Sequence, residues 1–381
     1  MNKSILHVVN TFFTVPYFFG DQFLYLKNKG YKLHVICSAS EYLSDYASAK
    51  QFVYKEIPIL RKISLTADMR AVANICRYIR KNKIGIVVGH TPKGALLAML
   101  AGWIMRTPKR IYFRHGLVYE TSEGFMHLLL INMDRLTAFL STKIVCVSPS
   151  LYKKSLKDRL NKECKQIVLG KGTCAGIDAL NKFNPELISG AKREALRKKT
   201  GVPKNAIVIG YCGRIVRDKG IVELVNAFEI LQQRTNKCLH LLLVGMFEDR
   251  DSVPVETKEK ILSHPAITYT GYVKDDIELY YSLMSIFILP SYREGFGMSV
   301  LEASAMQLPV ITTRATGCVD SIVENETGVY TDHAPQNIAS ALLGFIENED
   351  KRHKYGLAGR KFVEENFKQD IIWREIEKLY Q

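Results

Sequence analysis

Twice along the chain, short runs of β-branched and other apolar residues alternate with segments of helical periodicity, and between the two series the alternation stops. The first series reads as strands at residues 5–9, 32–36, 84–88, 110–113 and 143–147, with helices near 21–29, 68–81, 94–106 and 126–140. The second restarts at 206–211 and continues through strands at 240–244, 267–269, 286–289, 309–312 and 328–330. Nearly continuous apolar strands separated by helices are the mark of parallel sheets covered on both faces. The expected fold is therefore α/β, two Rossmann-like doubly wound domains, each binding ligands beyond the carboxyl ends of its strands and facing the other across a cleft. A chain of 381 residues is long enough to bury two such cores. The expected first domain is 1–180, the second 206–365, and the Lys- and Asn-rich stretch 181–205 reads as a connector with one short charged helix.

Composition removes several alternatives. With 47% apolar and 24% charged residues the chain is not disordered. The longest apolar stretch, Ala95 to Met105, is eleven residues, against the roughly 20 needed to span a bilayer. Asn10, Thr11, Thr14 and Pro16 break up the apolar start, so no secretion signal is expected. The eight cysteines form no C-x-x-C pair and sit mostly in apolar runs, as buried thiols of a reducing cytosol would, without zinc or disulfides. Neither domain carries a full G-x-G-x-x-G fingerprint, which argues against a nicotinamide or flavin cofactor.

Charge is distributed unevenly. Up to residue 190 there are 28 basic and 12 acidic residues, net +16; the remainder has 25 and 26, net −1. Arg61–Lys62, Arg77 to Lys83, Lys109–Arg110 and the series Lys153, Lys154, Lys157, Arg159, Lys162, Lys165 are the candidate clusters. A basic face attracts anions. No nucleic-acid-binding motif accompanies it, so the expected partner is an anionic membrane surface and not nucleic acid. The aromatics Phe12, Phe13, Tyr17, Phe18 and Phe19 suit either a core or a lipid-facing surface.

Two segments carry the chemistry. Pro290 to Ala303 follows the strand 286–289 and sets a glycine-bracketed loop at the start of a helix, where unpaired amides near Gly297 and Met298 suit a phosphate. Ser291, Gly295 and Phe296 belong to the same loop. Glu294 precedes that helix and Glu302 lies inside it, on the order of 7 Å deeper at about 1.5 Å per residue. Two carboxylates flanking a phosphate-binding helix end suit the ribose and the hexose of a nucleotide sugar. Gly210 to Gly220 also links a strand to a helix and carries Arg214 and Lys219, a fork and a point charge suited to stabilising a departing diphosphate without a metal.

These segments, in this order, resemble the family 4 retaining glycosyltransferases of the GT-B fold, over nearly the whole chain. The resemblance implies that Gly213, Arg214, Lys219 and Gly220 hold the donor diphosphate, that Glu294 contacts the transferred sugar and Glu302 the ribose, and that Gly271, Tyr272 and Val273 seat the base, with uridine favoured over guanosine. It implies that His115, at a strand end, faces the donor sugar, and that residues 366–381 form a helix crossing back to the first domain. His90, Thr91 and Lys93, in a segment similar to one in bacterial enzymes that extend lipid-linked saccharides, become acceptor-side candidates together with Arg114. The family often has paired glycines after the first strand, where this chain has Gly20 alone among aromatics, so Gly20 is the remaining candidate for a first-domain diphosphate contact. The implied enzyme moves a hexose or N-acetylhexosamine from a nucleoside diphosphate sugar to a polyprenyl-diphosphate-linked saccharide. It needs no cofactor or metal and works on the cytoplasmic face of the membrane, in surface polysaccharide assembly such as capsule or O-antigen. A sugar-nucleotide epimerase of the same fold and an inactive nucleotide-sugar-binding subunit are the alternatives.

Overall fold

The computed structural model describes residues 3–60 and 62–381. It divides into two compact units, Met1–Gly176 with Gln369–Gln381, and Ile177–Lys368. Arg61, one of the clustered basic residues, lies outside the described residues.

The first unit is built on a parallel sheet of seven strands: β1 (Ser4–Val8), β2 (Lys32–Cys37), β3 (Val53–Glu56), β4 (Ile86–Gly89), β5 (Lys109–Arg114), β6 (Lys143–Cys146) and β7 (Gln166–Ile167). Their order is β3-β2-β1-β4-β5-β6-β7, so the chain winds outward from β1 and then reverses, with β1 and β4 side by side where it turns. Every residue of β1 and β4 is buried, which explains their unbroken apolar runs. The helix Leu65–Lys81 buries Ala71, Val72, Ile75 and Ile79 along one stripe, as an amphipathic helix on a sheet does. Pro92–Ile104 lies between Leu65–Lys81 and Gly124–Leu140 and is accordingly buried on most sides. The C-terminal helix Gln369–Tyr380 belongs to this unit: Tyr25 donates to Glu377 (2.6 Å), Lys109 to the Tyr380 carbonyl (3.1 Å), and the Trp373 indole to the Ala175 carbonyl (2.9 Å).

The second unit has six parallel strands, β8 (Ile207–Cys212), β9 (Leu239–Val244), β10 (Ile267–Tyr269), β11 (Ile286–Leu289), β12 (Val310–Thr313) and β13 (Gly328–Thr331), in the order β10-β9-β8-β11-β12-β13. Its direction reverses between β8 and β11. The stretch 181–205, expected to be a connector, is part of this unit. Phe183 packs its ring 6.0 Å from Tyr281, Arg360 donates to the carbonyls of Ala179 and Phe183, and Thr268 donates to the carbonyl of Thr200 at the end of the helix Gly190–Thr200. A few apolar anchors, Phe183, Leu196 and Val202, bind an otherwise charged segment to the core.

The aromatic segment after β1 divides between the two readings. Phe12, Phe18 and Phe19 are buried, whereas Phe13 and Tyr17 are about half exposed, and the short helix Thr14–Phe18 carries the change of direction. The charge asymmetry follows the units themselves, +16 for the first and −1 for the second.

Candidate active site

In the second unit the two chemistry-bearing segments leave the carboxyl ends of β8 and β11, the pair at which the sheet reverses, where α/β sheets bind their ligands. The segment after β8 makes a short turn at Arg217–Lys219 and enters the helix Ile221–Arg234; the one after β11 enters the helix Met298–Ala305. They are clasped together. Lys219 Nζ donates to Glu294 Oε1 (2.6 Å), Ser291 Oγ donates to the same oxygen (2.9 Å), and Arg293 pairs with Asp218 (2.8 Å). Glycine is required at both supports of this clasp. Gly220 sits at φ +69 with its missing Cβ only 2.1 Å from the Pro290 carbonyl oxygen, and Gly317, at φ +81, would place a Cβ 2.6 Å from that of Glu294. The Glu294 amide donates to the Thr316 carbonyl (3.0 Å), so the carboxylate is fixed by backbone and side chain alike.

Lys219 and Glu294 retain 11% and 16% of their side-chain exposure, enough to be reached by a ligand while remaining largely desolvated. Both bonds fall on Oε1, which leaves Oε2 without a hydrogen bond among the described residues. Arg214 is held elsewhere, donating to Glu248 Oε2 (3.1 Å) from the loop after β9. Burial opposes its charge, but Glu248 and Asp218 outweigh that and raise its pKa. The two cations thus flank the end of β8, one braced from the β9 side and one from the β11 side. The helix Met298–Ala305 starts at Gly297 with no side-chain cap.

Glu302 sits in that helix and accepts from the buried Tyr281 hydroxyl (2.7 Å). Burial pushes its carboxyl up to about 7, against the lowering effect of Tyr281. Beside it, burial and the Glu302 charge push the Cys212 thiol up to about 12. Gly271 to Val273 follow β10, where the Gly245 amide donates to the Gly271 carbonyl (3.1 Å); Tyr272 is largely exposed and Val273 half-buried. Two members of the expected donor set face inward instead: Phe296 is buried against Phe367, and Ser291 is enclosed as a support for Glu294. A phenylalanine between an anion loop and its helix is the natural apolar plug of that corner.

The first unit corrects more of the expectations. Arg114, an acceptor-side candidate, is wholly buried and donates to Asp134 (2.6 Å) and Asn161 (2.9 Å). Burial opposes its charge, and Asp134, with Tyr112 and Cys146, more than compensates. It is a core ion pair and faces no acceptor. Lys93 is enclosed too, bonded to Asp68 Oδ1 (2.7 Å) and to the Lys62 carbonyl (2.5 Å), where it ties two helix starts together. Thr91 opens the helix Pro92–Ile104 at φ +63, a conformation that costs a β-branched residue, and its hydroxyl donates to Asn10 Oδ1 (2.6 Å). Gly20, at φ +49, follows the helix Thr14–Phe18 and is half-buried.

His115 follows β5 and is half-buried beneath Phe18, whose ring stacks on it at 3.8 Å and 7°. Its Nε2 lies 2.9 Å from His90 Nδ1, and His90 Nε2 lies 3.1 Å from His7 Nδ1. His90 is therefore the buried middle of a histidine row and no acceptor contact. The sequence reading missed His7, Phe18, Tyr281 and Glu248. A histidine inside the apolar run of β1 was the available signal for the first.

Comparison with known proteins follows the same division. The model of "Glycosyl transferases group 1" matches residues 192–362, and that of "Glycosyl transferase 4-like" matches 4–146. The capsular polysaccharide biosynthesis glycosyltransferase CapM of Staphylococcus aureus is 34% identical over 380 residues, covering 100% of this chain and 97% of the relative. The chain belongs to the family 4 glycosyltransferases. A second relative of this glycosyltransferase, from Escherichia coli, is a UDP-Gal:alpha-D-GlcNAc-diphosphoundecaprenol alpha-1,3-galactosyltransferase, 24% identical over 80% of this chain and 77% of its own. Among solved structures, Anabaena HepE in complex with UDP and glucose matches with a TM-score of 0.80 at 17% identity, covering 99% of both chains. That likeness carries the GT-B fold. As a glycosyltransferase the chain must neutralise a leaving diphosphate. Among the described residues no group of three or more His, Cys, Asp or Glu could hold a metal ion, while Lys219, Arg214 and the helix end are the cationic elements present.

Proposed function

We propose that this glycosyltransferase transfers a hexose or N-acetylhexosamine from a UDP-sugar, with retention and without a metal, to a saccharide carried on polyprenyl diphosphate. The setting is assembly of a bacterial surface polysaccharide, capsule or O-antigen, on the cytoplasmic face of the membrane. The observation that carries the reading is the Lys219–Glu294 clasp at the reversal of the second sheet. It sets a desolvated ammonium beside a carboxylate that has one oxygen to spare. A donor diphosphate over Lys219, Arg214 and the uncapped start of Met298–Ala305 has its developing charge met by fixed donors as the C1–O bond breaks. Glu294 Oε2 accepts from a sugar hydroxyl, and the Glu302 carboxylate accepts from the ribose. The acceptor hydroxyl oxygen bonds to C1 on the leaving-group face, and its proton passes to a departing phosphate oxygen. The printed names of the relatives support donor and acceptor class: the E. coli enzyme's gives UDP-Gal and a diphosphoundecaprenol acceptor, and the S. aureus enzyme's gives capsular polysaccharide.

Membrane attachment is supported by the first unit. Its net charge is +16, and the helix Gly124–Leu140 exposes Phe125, Leu128, Leu136 and Phe139 along a single stripe, with Lys165 5.8 Å from the Phe139 ring. Among the described residues no helix is long and apolar enough to cross a membrane.

The test is nucleotide release from a panel of UDP- and GDP-sugars in EDTA, with and without a polyprenyl-diphosphate saccharide pool. Acceptor-dependent release from one UDP-sugar is expected. Release only when a divalent metal is restored, or conversion of the donor to an epimer without acceptor, would overturn the reading.

A further inference from the structure

Three adjacent strands of the first sheet each contribute one histidine to a continuous row. His7 lies in β1, His90 directly follows β4 and His115 directly follows β5, and β1, β4 and β5 pair side by side. The row therefore runs across the reversal point of that sheet, from the interior toward the open end. Its contacts are nitrogen to nitrogen, His7 Nδ1 to His90 Nε2 at 3.1 Å and His90 Nδ1 to His115 Nε2 at 2.9 Å.

A neutral imidazole has one N–H and one bare nitrogen, so each contact needs a proton on one side and a lone pair on the other. Only two assignments satisfy both contacts. In one, every ring is protonated on Nδ1; in the other, every ring is protonated on Nε2. The inner end of the row decides between them. His7 Nε2 is buried without a hydrogen-bond partner, and the rings of Phe19 and Phe23 lie 4.7 and 5.2 Å from that of His7. Protonation there would strand a buried N–H donor, which folded proteins avoid more strictly than an unused acceptor. At the outer end, His115 Nδ1 has no hydrogen bond among the described residues, and the ring is half-buried.

We infer that His7 and His90 are positioning residues that lock His115 into its Nδ1–H form, so that it offers a neutral hydrogen-bond donor, and never a base, to an oxygen of the donor sugar or of its leaving group. The row stays neutral because burial holds His7 and His115 down at about 3 and His90 well below its ordinary value. The titratable groups that bear on it are the three rings themselves, His34 on β2 and Tyr380 on the C-terminal helix. Phe18, stacked flat on His115, prevents the ring from swinging out of line. The ligand named here rests on the proposed function; the proton assignment does not.

The test uses the full chain labelled with ¹⁵N-histidine, in which long-range ¹H–¹⁵N correlations report which ring nitrogen bears the proton, the three rings being assigned by single substitutions to Asn. All three are expected to be protonated on Nδ1 at neutral pH. His115 protonated on Nε2, or charged, would overturn the inference whatever the enzyme's reaction. His7→Leu should let His115 populate both forms and lower kcat roughly three- to tenfold, the scale of one hydrogen bond, with the KM for donor within about twofold. His7→Asn, which keeps an N–H donor facing His90, should restore both. A loss of kcat in His7→Leu with the His115 spectrum unmoved would mean a merely structural role and would also overturn it. Absence of transfer activity in a chain whose row is protonated as described would instead fall on the proposed function.

Discussion

Both sheets reverse direction once, and what stands at the two reversal points differs in kind. Between β8 and β11 the second unit holds an ion pair, Lys219 with Glu294, braced by glycines that bring backbone to within van der Waals distance. Between β1 and β4 the first unit holds neutral rings, His7 and His90, leading to His115. The parallel sheet supplies the same crevice in each case. The loops decide whether it handles charge or offers uncharged polarity, and the two belong to different parts of one reaction: a leaving diphosphate needs fixed cations, whereas a sugar hydroxyl needs directed hydrogen bonds without net charge.

The division can be broken most severely at the clasp. Glu294→Ala is expected to lower turnover by about 100-fold or more, the scale of removing a preorganised transition-state contact, while UDP binding by calorimetry changes little. Comparable turnover in the mutant would remove Glu294 from the reaction. Lys219→Ala should both slow release and weaken UDP, since its ammonium serves ground state and leaving group together; a change in neither would show that the ion pair is only structural.

Arg114 sharpens the contrast from the other side. Breaking its buried pair by Asp134→Ala should cost about 3–5 kcal/mol in denaturant unfolding, because a charge is left stranded in the core. Turnover per folded molecule should stay near that of the parent enzyme. A stable but inactive Asp134→Ala would return Arg114 to the acceptor side.

Glu302 gives the pH dependence. Its carboxyl is raised to about 7 in the fold, above the value of about 4.5 when exposed, so between those values the folded chain binds more protons than the unfolded one and its contribution to stability falls as pH rises. Ligand affinity should move oppositely, because the ribose hydroxyls donate to the carboxylate form. UDP should bind roughly tenfold more tightly above about pH 7 than below it. In Glu302→Gln that part of the rise should vanish, leaving only the titration of the phosphate itself. Identical pH profiles in the two proteins would detach Glu302 from the nucleotide. The smallest effect is expected at the membrane: Phe139→Asp should lower binding to anionic vesicles a few-fold at low salt, with activity on a soluble acceptor retained. Binding that is insensitive to both salt and Phe139→Asp would contradict attachment through this helix.

How much of this was legible in the sequence differs in the same way between the units. The central strands were readable because both faces are buried, whereas β3 escaped because its residues, Lys55 and Glu56 among them, are exposed at an edge, and β7 is only two residues long. The loops after β8 and β11 were readable because backbone contact with an anion and with a neighbouring loop demands glycine at fixed places, a local signal. Arg114 and Lys93 were misread because a basic residue at a strand end or helix start looks the same whether it meets a ligand or a buried carboxylate. Their partners, Asp134 and Asp68, stand 20 and 25 residues away. The histidine row was hidden for the same reason: His7 interrupts an apolar strand, and the ring that explains it lies 83 residues further on. Contacts across strands leave no periodicity in the chain.

The most direct measurement is a crystal structure of the full chain with UDP bound. The account predicts the diphosphate on Lys219, Arg214 and the start of the helix Met298–Ala305, with the ribose hydroxyls on Glu302. A diphosphate seated away from Lys219, with the Lys219–Glu294 clasp undisturbed and remote from the nucleotide, would contradict it.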